Sequence, residues 1–281
     1  MRRFVTAAGF YVVGAASLFA QAPVVGVGTF IHVVADLDKT MRFYGDRLGL
    51  ELNGTPGPRA FSVNAVVENL YDAKGSQSRV AVFKIAGSPL GVEFVEFKDA
   101  GQKAFRPRLQ DPGASLLAIP VGDVRSVMAK LKEDATPVIG DAVVQDPDGF
   151  YIQLVEAKSQ ARLSLTVDNM DRTLHLFRDL LGFQPDGGKA KVPGTDFEVE
   201  FKEFQGTDRR KMVEGIHDPG AGVLRLVVRD VDALLQTLKA AGVPVVSAGG
   251  EPVNVGNRHF VILRDPDNFF FQIVPQPPAG R

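Results

Sequence analysis

The sequence predicts an α+β protein made of two tandem copies of one domain, and three observations carry that prediction. VEFVEF at 92–97 returns as VEFKEF at 199–204, DPGA at 111–114 returns at 218–221, VGDV at 121–124 returns as VRDV at 228–231, and Pro137 returns as Pro244, all at an offset of 107 residues. A fixed offset through matching strand, turn and helix signals marks a duplicated domain. Within each copy, short apolar runs alternate with helical periodicity. Finally, 281 residues at 45% hydrophobic and 23% charged content are enough for two separate cores.

The elements follow in order. Arg2 and Arg3 precede an uncharged run from Phe4 to Ala20, and Pro23 breaks it. This is the layout of a secretory leader over 1–22; its seventeen-residue uncharged run is short for a membrane span, which needs about 20 residues, and the segment is either cleaved or kept as an anchor. Copy one then opens with a strand, Thr29 to Ala35. Asp36 or Asp38 caps a helix with Met41, Tyr44 and Leu48 on one face, stopped by Gly49. Copy two opens with Leu163 to Val167, and Asn169 or Asp171 caps a helix with Leu174, Phe177 and Leu181 on one face, stopped by Gly182. Each copy runs through strands to VEFxEF, a DPGA turn, a further strand and a second amphipathic helix. Those helices carry Val124, Val127, Met128 and Leu131 in copy one, and Val231, Leu234, Leu235 and Leu238 in copy two. Each copy closes on an Asp-Pro-Asp turn and an apolar strand, DPDGFYIQL at 146–154 and DPDNFFFQI at 265–273. Each copy is thus two units of strand, helix and more strands.

Segment lengths make the copies unequal. From Gly49 to Val92 there are 43 positions, but from Gly182 to Val199 only 17; from Pro137 to Asp146 there are 9, against 21 from Pro244 to Asp265. Three strands fit poorly in 17 or 9 positions. The first half of copy one and the second half of copy two therefore look complete, and the other two halves look trimmed.

His32 in TFIHVV, the MRFYGDRLGL helix at 41–50, VEFVEF and the two DPD-strand motifs together resemble the vicinal-oxygen-chelate superfamily of glyoxalase I, bleomycin-resistance proteins and extradiol dioxygenases. The resemblance covers a first domain over 28–157 and a second over 162–276. It implies paired βαβββ units whose curved mixed sheets enclose a cavity. In metal-dependent members it implies ligands from the first, fourth, fifth and last strands. Carried onto this chain, those positions are His32 and Leu165, Glu93 and Glu200, Leu116 and Val223, and Gln153 and Gln272. Leucine and valine interrupt the ligand pattern in both copies. A dioxygenase-like site within copy one would hold His32, Leu116 and Gln153, whereas facial-triad iron wants two histidines and a carboxylate. A glyoxalase-like site shared between copies would join His32, Glu93, Val223 and Gln272, leaving Leu165, Glu200, Leu116 and Gln153 in the opposite, smaller site.

Each candidate has a plainer alternative. His32 is a ligand or base, or a core histidine held by hydrogen bonds. Glu93 and Glu96 point to opposite faces of one strand, so at most one looks into a cavity; Glu93 is the expected catalytic or ligand carboxylate. Gln153 and Gln272 add no charge, so a metal held there is held weakly. Phe270 shares the strand face of Gln272 and is a candidate pocket wall, and His259, one strand earlier, either faces that pocket or lies outside it. His175 and His217 read as helix-surface and loop residues.

The expectation is an exported protein, periplasmic or secreted, monomeric or homodimeric, that binds a small organic molecule in one main pocket. It has no cofactor, or a weakly held divalent metal ion. Whether it is an enzyme stays open. The alternatives are a metal-dependent glyoxalase-type lyase or isomerase, an extradiol-type dioxygenase, and an interaction module whose pocket has decayed. A net charge of −1 with no basic run argues against a nucleic-acid partner, and no stable membrane association is expected once the leader is cleaved. The absence of cysteine removes disulfides, thiolate nucleophiles and zinc–sulfur sites.

Overall fold

The structure is a computed structural model describing residues 22–54, 60–206, 208–211, 213 and 215–277. The expected leader falls almost wholly on 1–21, outside the described residues. Among the described residues no helix is long and apolar enough to cross a membrane.

Copy one contributes β1 (Val24–Val34), α1 (Leu37–Met41) continued by a π-helical turn (Arg42–Arg47), β2 (Glu51–Leu52), α2 (Ala65–Leu70), β3 (Gln77–Lys84), β4 (Gly91–Lys98), β5 (Ser115–Val121), α3 (Val124–Glu133), β6 (Val138–Gly140), β7 (Val143–Gln145) and β8 (Tyr151–Glu156). Copy two contributes β9 (Arg162–Thr166), α4 (Met170–Leu174) continued by a π-helical turn (His175–Leu180), β10 (Gln184–Asp186), β11 (Lys189–Lys191), β12 (Glu198–Lys202), β13 (Gly222–Val228), α5 (Val231–Ala240), β14 (Val253–Val255), β15 (Arg258–Arg264) and β16 (Phe270–Pro275). Side-chain oxygens of Asp36, Asn169, Asp123 and Asp230 cap α1, α4, α3 and α5, each accepting a backbone N–H three residues on.

The copies exchange halves. One eight-stranded sheet has the order β14-β15-β16-β13-β1-β4-β3-β2, and the other β10-β11-β12-β9-β5-β8-β7-β6. Each sheet therefore joins the first half of one copy to the second half of the other, through antiparallel β1–β13 and β5–β9 seams. At the first seam Phe30 registers with Leu224 and His32 with Gly222. A Cβ on Gly222 would lie 2.6 Å from the Phe30 ring, so the seam closes only on glycine.

The halves that looked trimmed still hold three strands each. β10 and β11, and likewise β6 and β7, are three residues long, so tight turns save the length that missing strands would have saved. The extra length of copy one instead holds α2, a helix the strand reading did not anticipate.

Alternation sorts the side chains of each sheet onto two faces. Phe30, Phe94, Leu224 and Phe271 of the first sheet join Leu117, Ile152 and Leu163 of the second, and Phe177 of the π-helical turn after α4, in one apolar cluster. The opposite, concave face of the first sheet carries Ile31, Val95, Val223, Ile262 and Phe270. There Leu70 and Tyr71, at the end of α2, complete the layer with Val66 and Val67.

Candidate functional site

Glu93, on β4, registers with Ile31 of β1, whereas His32 registers with Phe94. Neighbouring residues on a strand point to opposite faces. Glu93 therefore lies on the concave face and His32 on the helix-facing one. The expected set of His32, Glu93 and Gln272 does not converge, because Glu93 and Gln272 share a face that His32 does not.

What joins Glu93 to Gln272 is Arg225, which sequence reasoning missed. It stands in β13 two residues after Val223, registered with Gln272 of β16. Its Nη1 donates to Glu93 Oε2 at 2.8 Å, its Nη2 to Oε1 at 3.3 Å, and its Nε to Gln272 Oε1 at 2.6 Å. Thr29 Oγ1 adds a donation to Glu93 Oε2 at 3.3 Å. The signal was legible in GVLRLVV, where one cation interrupts a seven-residue apolar strand.

Tyr71 closes the site from α2. It is 3% exposed, packs at a tilt against Phe97 with ring centroids 5.2 Å apart, and its hydroxyl has no hydrogen-bond partner among the described residues. Burial, and then the Glu93 carboxylate, push that hydroxyl far above the ordinary phenol pKa, while Arg225 pulls the other way, so it stays a neutral donor. Its backbone carbonyl faces Nδ1 of His217 at 3.1 Å. Phe270 lies on the same face, fully buried, with the Arg264 guanidinium 5.0 Å from its ring centre.

The remaining candidates lie elsewhere. Gln153 is on β8 in the second sheet, registered with Ala118. On that sheet's concave face Glu200 accepts from Ser164 Oγ at 2.6 Å and is flanked by Lys202 at 3.3 Å and Arg162 at 3.6 Å. Leu165 registers with Phe201 and lies in the apolar cluster of the opposite face, so it fills no space beside Glu200. His259 faces away from Ile262 and pairs at the surface with Asp232 of α5 at 2.7 Å. Glu96 points to the helix side, where it accepts from Leu37 N at 2.8 Å and Arg79 Nε at 2.7 Å.

His32 belongs to a separate buried cluster. Its Nε2 lies 3.0 Å from Asp146 Oδ2 and its Nδ1 3.2 Å from the Ala221 carbonyl. Each partner can accept from a ring N–H, and the tautomer decides which nitrogen donates. Burial alone would lower the histidine pKa, but the Asp146 charge and hydrogen bond outweigh it and leave the pKa raised. Tyr44 also donates to Asp146 Oδ2 at 3.0 Å, and the N–H groups of Asp148 and Phe150 donate to Oδ1. Copy two has Leu165 and Phe177 at the positions of His32 and Tyr44, and Asp265 at that of Asp146. There burial and the neighbouring Asp267 push the Asp265 carboxyl up to about 7.

His32, Asp146 and Asp148 bring their ligand atoms within 4.8 Å of one another. Both ring nitrogens of His32 are already engaged there, Nε2 with Asp146 and Nδ1 with the Ala221 carbonyl. On the concave face, Glu93 and Gln272 are held by the Arg225 guanidinium seated between them. A divalent ion at either cluster would have to displace these partners.

The Glyoxalase/Bleomycin resistance protein/Dioxygenase superfamily profile matches residues 26–154 and 159–273, and the chain belongs to that family. Among solved structures it resembles glyoxalase I from Zea mays, with a TM-score of 0.58 and 17% identity over 89% of this chain and 92% of that one. It also resembles a candidate dioxygenase from Bacillus subtilis subsp. subtilis str. 168, with a TM-score of 0.53 and 15% identity over 92% of this chain and 87% of that one. At these identities the likeness shows the fold alone. No curated protein matches the sequence.

Proposed function

We propose that this protein binds a small organic molecule on the concave face of its first sheet without a tightly held metal, with Arg225 standing where a metal-dependent relative keeps its cation. The observation that carries this reading is the Glu93–Arg225–Gln272 bridge beneath the unpartnered Tyr71 hydroxyl. A buried donor without a partner costs about 1–3 kcal/mol, and an acceptor oxygen on a ligand recovers it. The ligand is therefore a compact molecule with at least one carbonyl, carboxylate or ether oxygen, which reaches the site when α2 lifts from the sheet, since Phe270 and Val223 are fully buried beneath it. Glu93 acts here as an anchor that holds Arg225 in place, rather than as a metal ligand or a free base. We further propose export to the periplasm or exterior as a monomer or homodimer, supported by the Arg2-Arg3 start and the uncharged run that follows.

Metal analysis of the purified protein after mild dialysis, alongside a thermal-shift screen of oxygen-bearing small molecules, tests the reading. The expected results are substoichiometric transition metal and stabilisation by ligands whose effect falls in Tyr71→Phe. Tight one-to-one iron or zinc would overturn the metal-free reading. Ligand shifts unchanged in Tyr71→Phe would overturn the assignment of the site. N-terminal sequencing of protein from the native host tests export, and an intact Met1 on cytoplasmic protein would sink it.

A further inference from the structure

On the far side of the first sheet, a cleft of about 450 Å³ opens between the π-helical turn after α1, the loop after α3 and the Asp146 turn. It is separate from the concave site and its argument does not depend on that site. Lys39, Arg42, Arg47 and Arg106 line it, against the exposed carboxylates of Asp46 and Asp134. Asp146 reaches it from below but is already paired with His32. Arg47 is engaged with Asp134. Among the described residues, the side chains of Lys39, Arg42 and Arg106 make no hydrogen bond or ion pair, although the Arg106 charge is felt by the buried Asp148. Phe43, Pro137 and Pro147 supply an apolar wall.

The duplication provides the control. In copy two, Arg172 matches Lys39 and turns inward onto Asp267 at 2.6 Å. His175 matches Arg42 and pairs with Asp179, the counterpart of Asp46, at 3.0 Å. The same helix positions are neutralised within copy two and left unpaired around a cleft in copy one. The stem of Arg106 also has a defined seat: its Cγ and Cδ lie 3.4 Å from where a Cβ on Gly149 would stand, and copy two has Asn268 at that position.

We infer that this cleft is a second binding site, one that takes a small organic anion with its carboxylate among Lys39, Arg42 and Arg106 and its apolar body against Phe43 and the two prolines. Charge-assisted hydrogen bonds to guanidinium supply the recognition, and an uncharged isostere forfeits them. The charge of the lining carries the class of ligand: Asp134 is engaged with Arg47 and Asp146 with His32, so Lys39, Arg42 and Arg106 face the cleft against Asp46 alone, and that surplus of positive charge selects an anion.

The test titrates the full chain, labelled at the arginine Nε–H groups, with benzoate, phenylacetate and succinate, and with benzamide and inorganic phosphate as controls. Benzoate or phenylacetate is expected to give saturable shifts at Arg42 and Arg106 that weaken with added salt. Benzamide is expected to give none. The Arg42→Ala/Arg106→Ala double variant removes exposed, unpaired groups and should keep its melting temperature while losing affinity by about tenfold or more. Tyr71→Phe should leave this binding unchanged, which separates it from the concave site. Absence of saturable shifts with all three carboxylates, equal response to benzamide, or undiminished binding in the double variant would overturn the site. Inorganic phosphate binding as tightly as benzoate would overturn the role of the apolar wall.

Discussion

Arg225 and Asp265 show how one residue fixes the behaviour of its surroundings. The Arg225 and Glu93 side chains are 24% and 15% exposed, so their pairing is screened only in part. Removing the cation alone leaves a carboxylate in a mostly dry site, whereas removing both leaves none. Arg225→Met should therefore destabilise the protein by about 1–3 kcal/mol, and adding Glu93→Gln should recover much of that loss. Denaturant unfolding of the four proteins in a double-mutant cycle reads the coupling, and strict additivity would show that the bridge contributes nothing. Asp265 governs pH dependence. Its folded-state pKa, about 7, lies above the ordinary carboxylate value of 3.8, so the folded protein keeps a proton that the unfolded chain gives up. The resulting stability is fully present below about pH 4 and is lost as pH rises through about 7. The raised pKa of His32 acts in the same direction, with its contribution lost as pH rises through the folded value. Asp265→Asn should flatten the decline between pH 4 and 7 and leave the His32 component. A variant whose stability still falls as steeply over that range would contradict the assignment.

At the scale of elements, α2 decides how far the concave face is open. It lies against β14 and β15, and Leu70 and Tyr71 are buried among Val253, Ile262 and Phe270. Leu70→Ala should cost about 2–4 kcal/mol if the roof is packed as tightly as a core. Hydrogen exchange of the concave-face strands should speed up alongside that loss. A change below about 0.5 kcal/mol would mean that α2 rests on the sheet without sealing it. How far the sequence revealed these elements depends on the kind of signal each left. Capped amphipathic helices were readable because Asp36, Asn169, Asp123 and Asp230 precede periodic apolar residues. α2 was not, because Asn64-Ala-Val-Val-Glu-Asn-Leu is too short and too β-branched to show helical periodicity. The three-residue strands β6, β7, β10 and β11 were invisible to length arguments for a similar reason. Glu93 and Gln272, expected at one site, stand on the same face of the first sheet, and His32 stands on the other. One residue of strand register separates the two faces, and the motif alone does not fix that register. Arg225 leaves only a single cation in an apolar strand as its signal, and the resemblance implies a ligand at Val223, two residues before it, and none at Arg225.

At the scale of the whole molecule, the exchange of halves makes the two sequence copies thermodynamically inseparable. Neither copy owns a sheet: the β1–β13 and β5–β9 seams run through the middle of each, and one apolar cluster reaches from Phe30 and Leu224 to Leu117 and Leu163. Unfolding copy one would strip β13–β16 of their neighbours and expose the helix-facing side of both sheets, so no intermediate with one intact copy keeps a closed core. The chain should therefore unfold in a single cooperative step despite its length, with a calorimetric enthalpy equal to the van't Hoff enthalpy. A cavity made in either copy should lower the same transition. Leu117→Ala in β5 and Leu224→Ala in β13 sit in different copies and different sheets, and both are fully buried. Each should shift the one melting transition, by about 2–5 kcal/mol in stability, without splitting it. Two resolved transitions, with Leu117→Ala moving only one and Leu224→Ala only the other, would show that the copies fold as independent domains and that the shared sheets do not couple them.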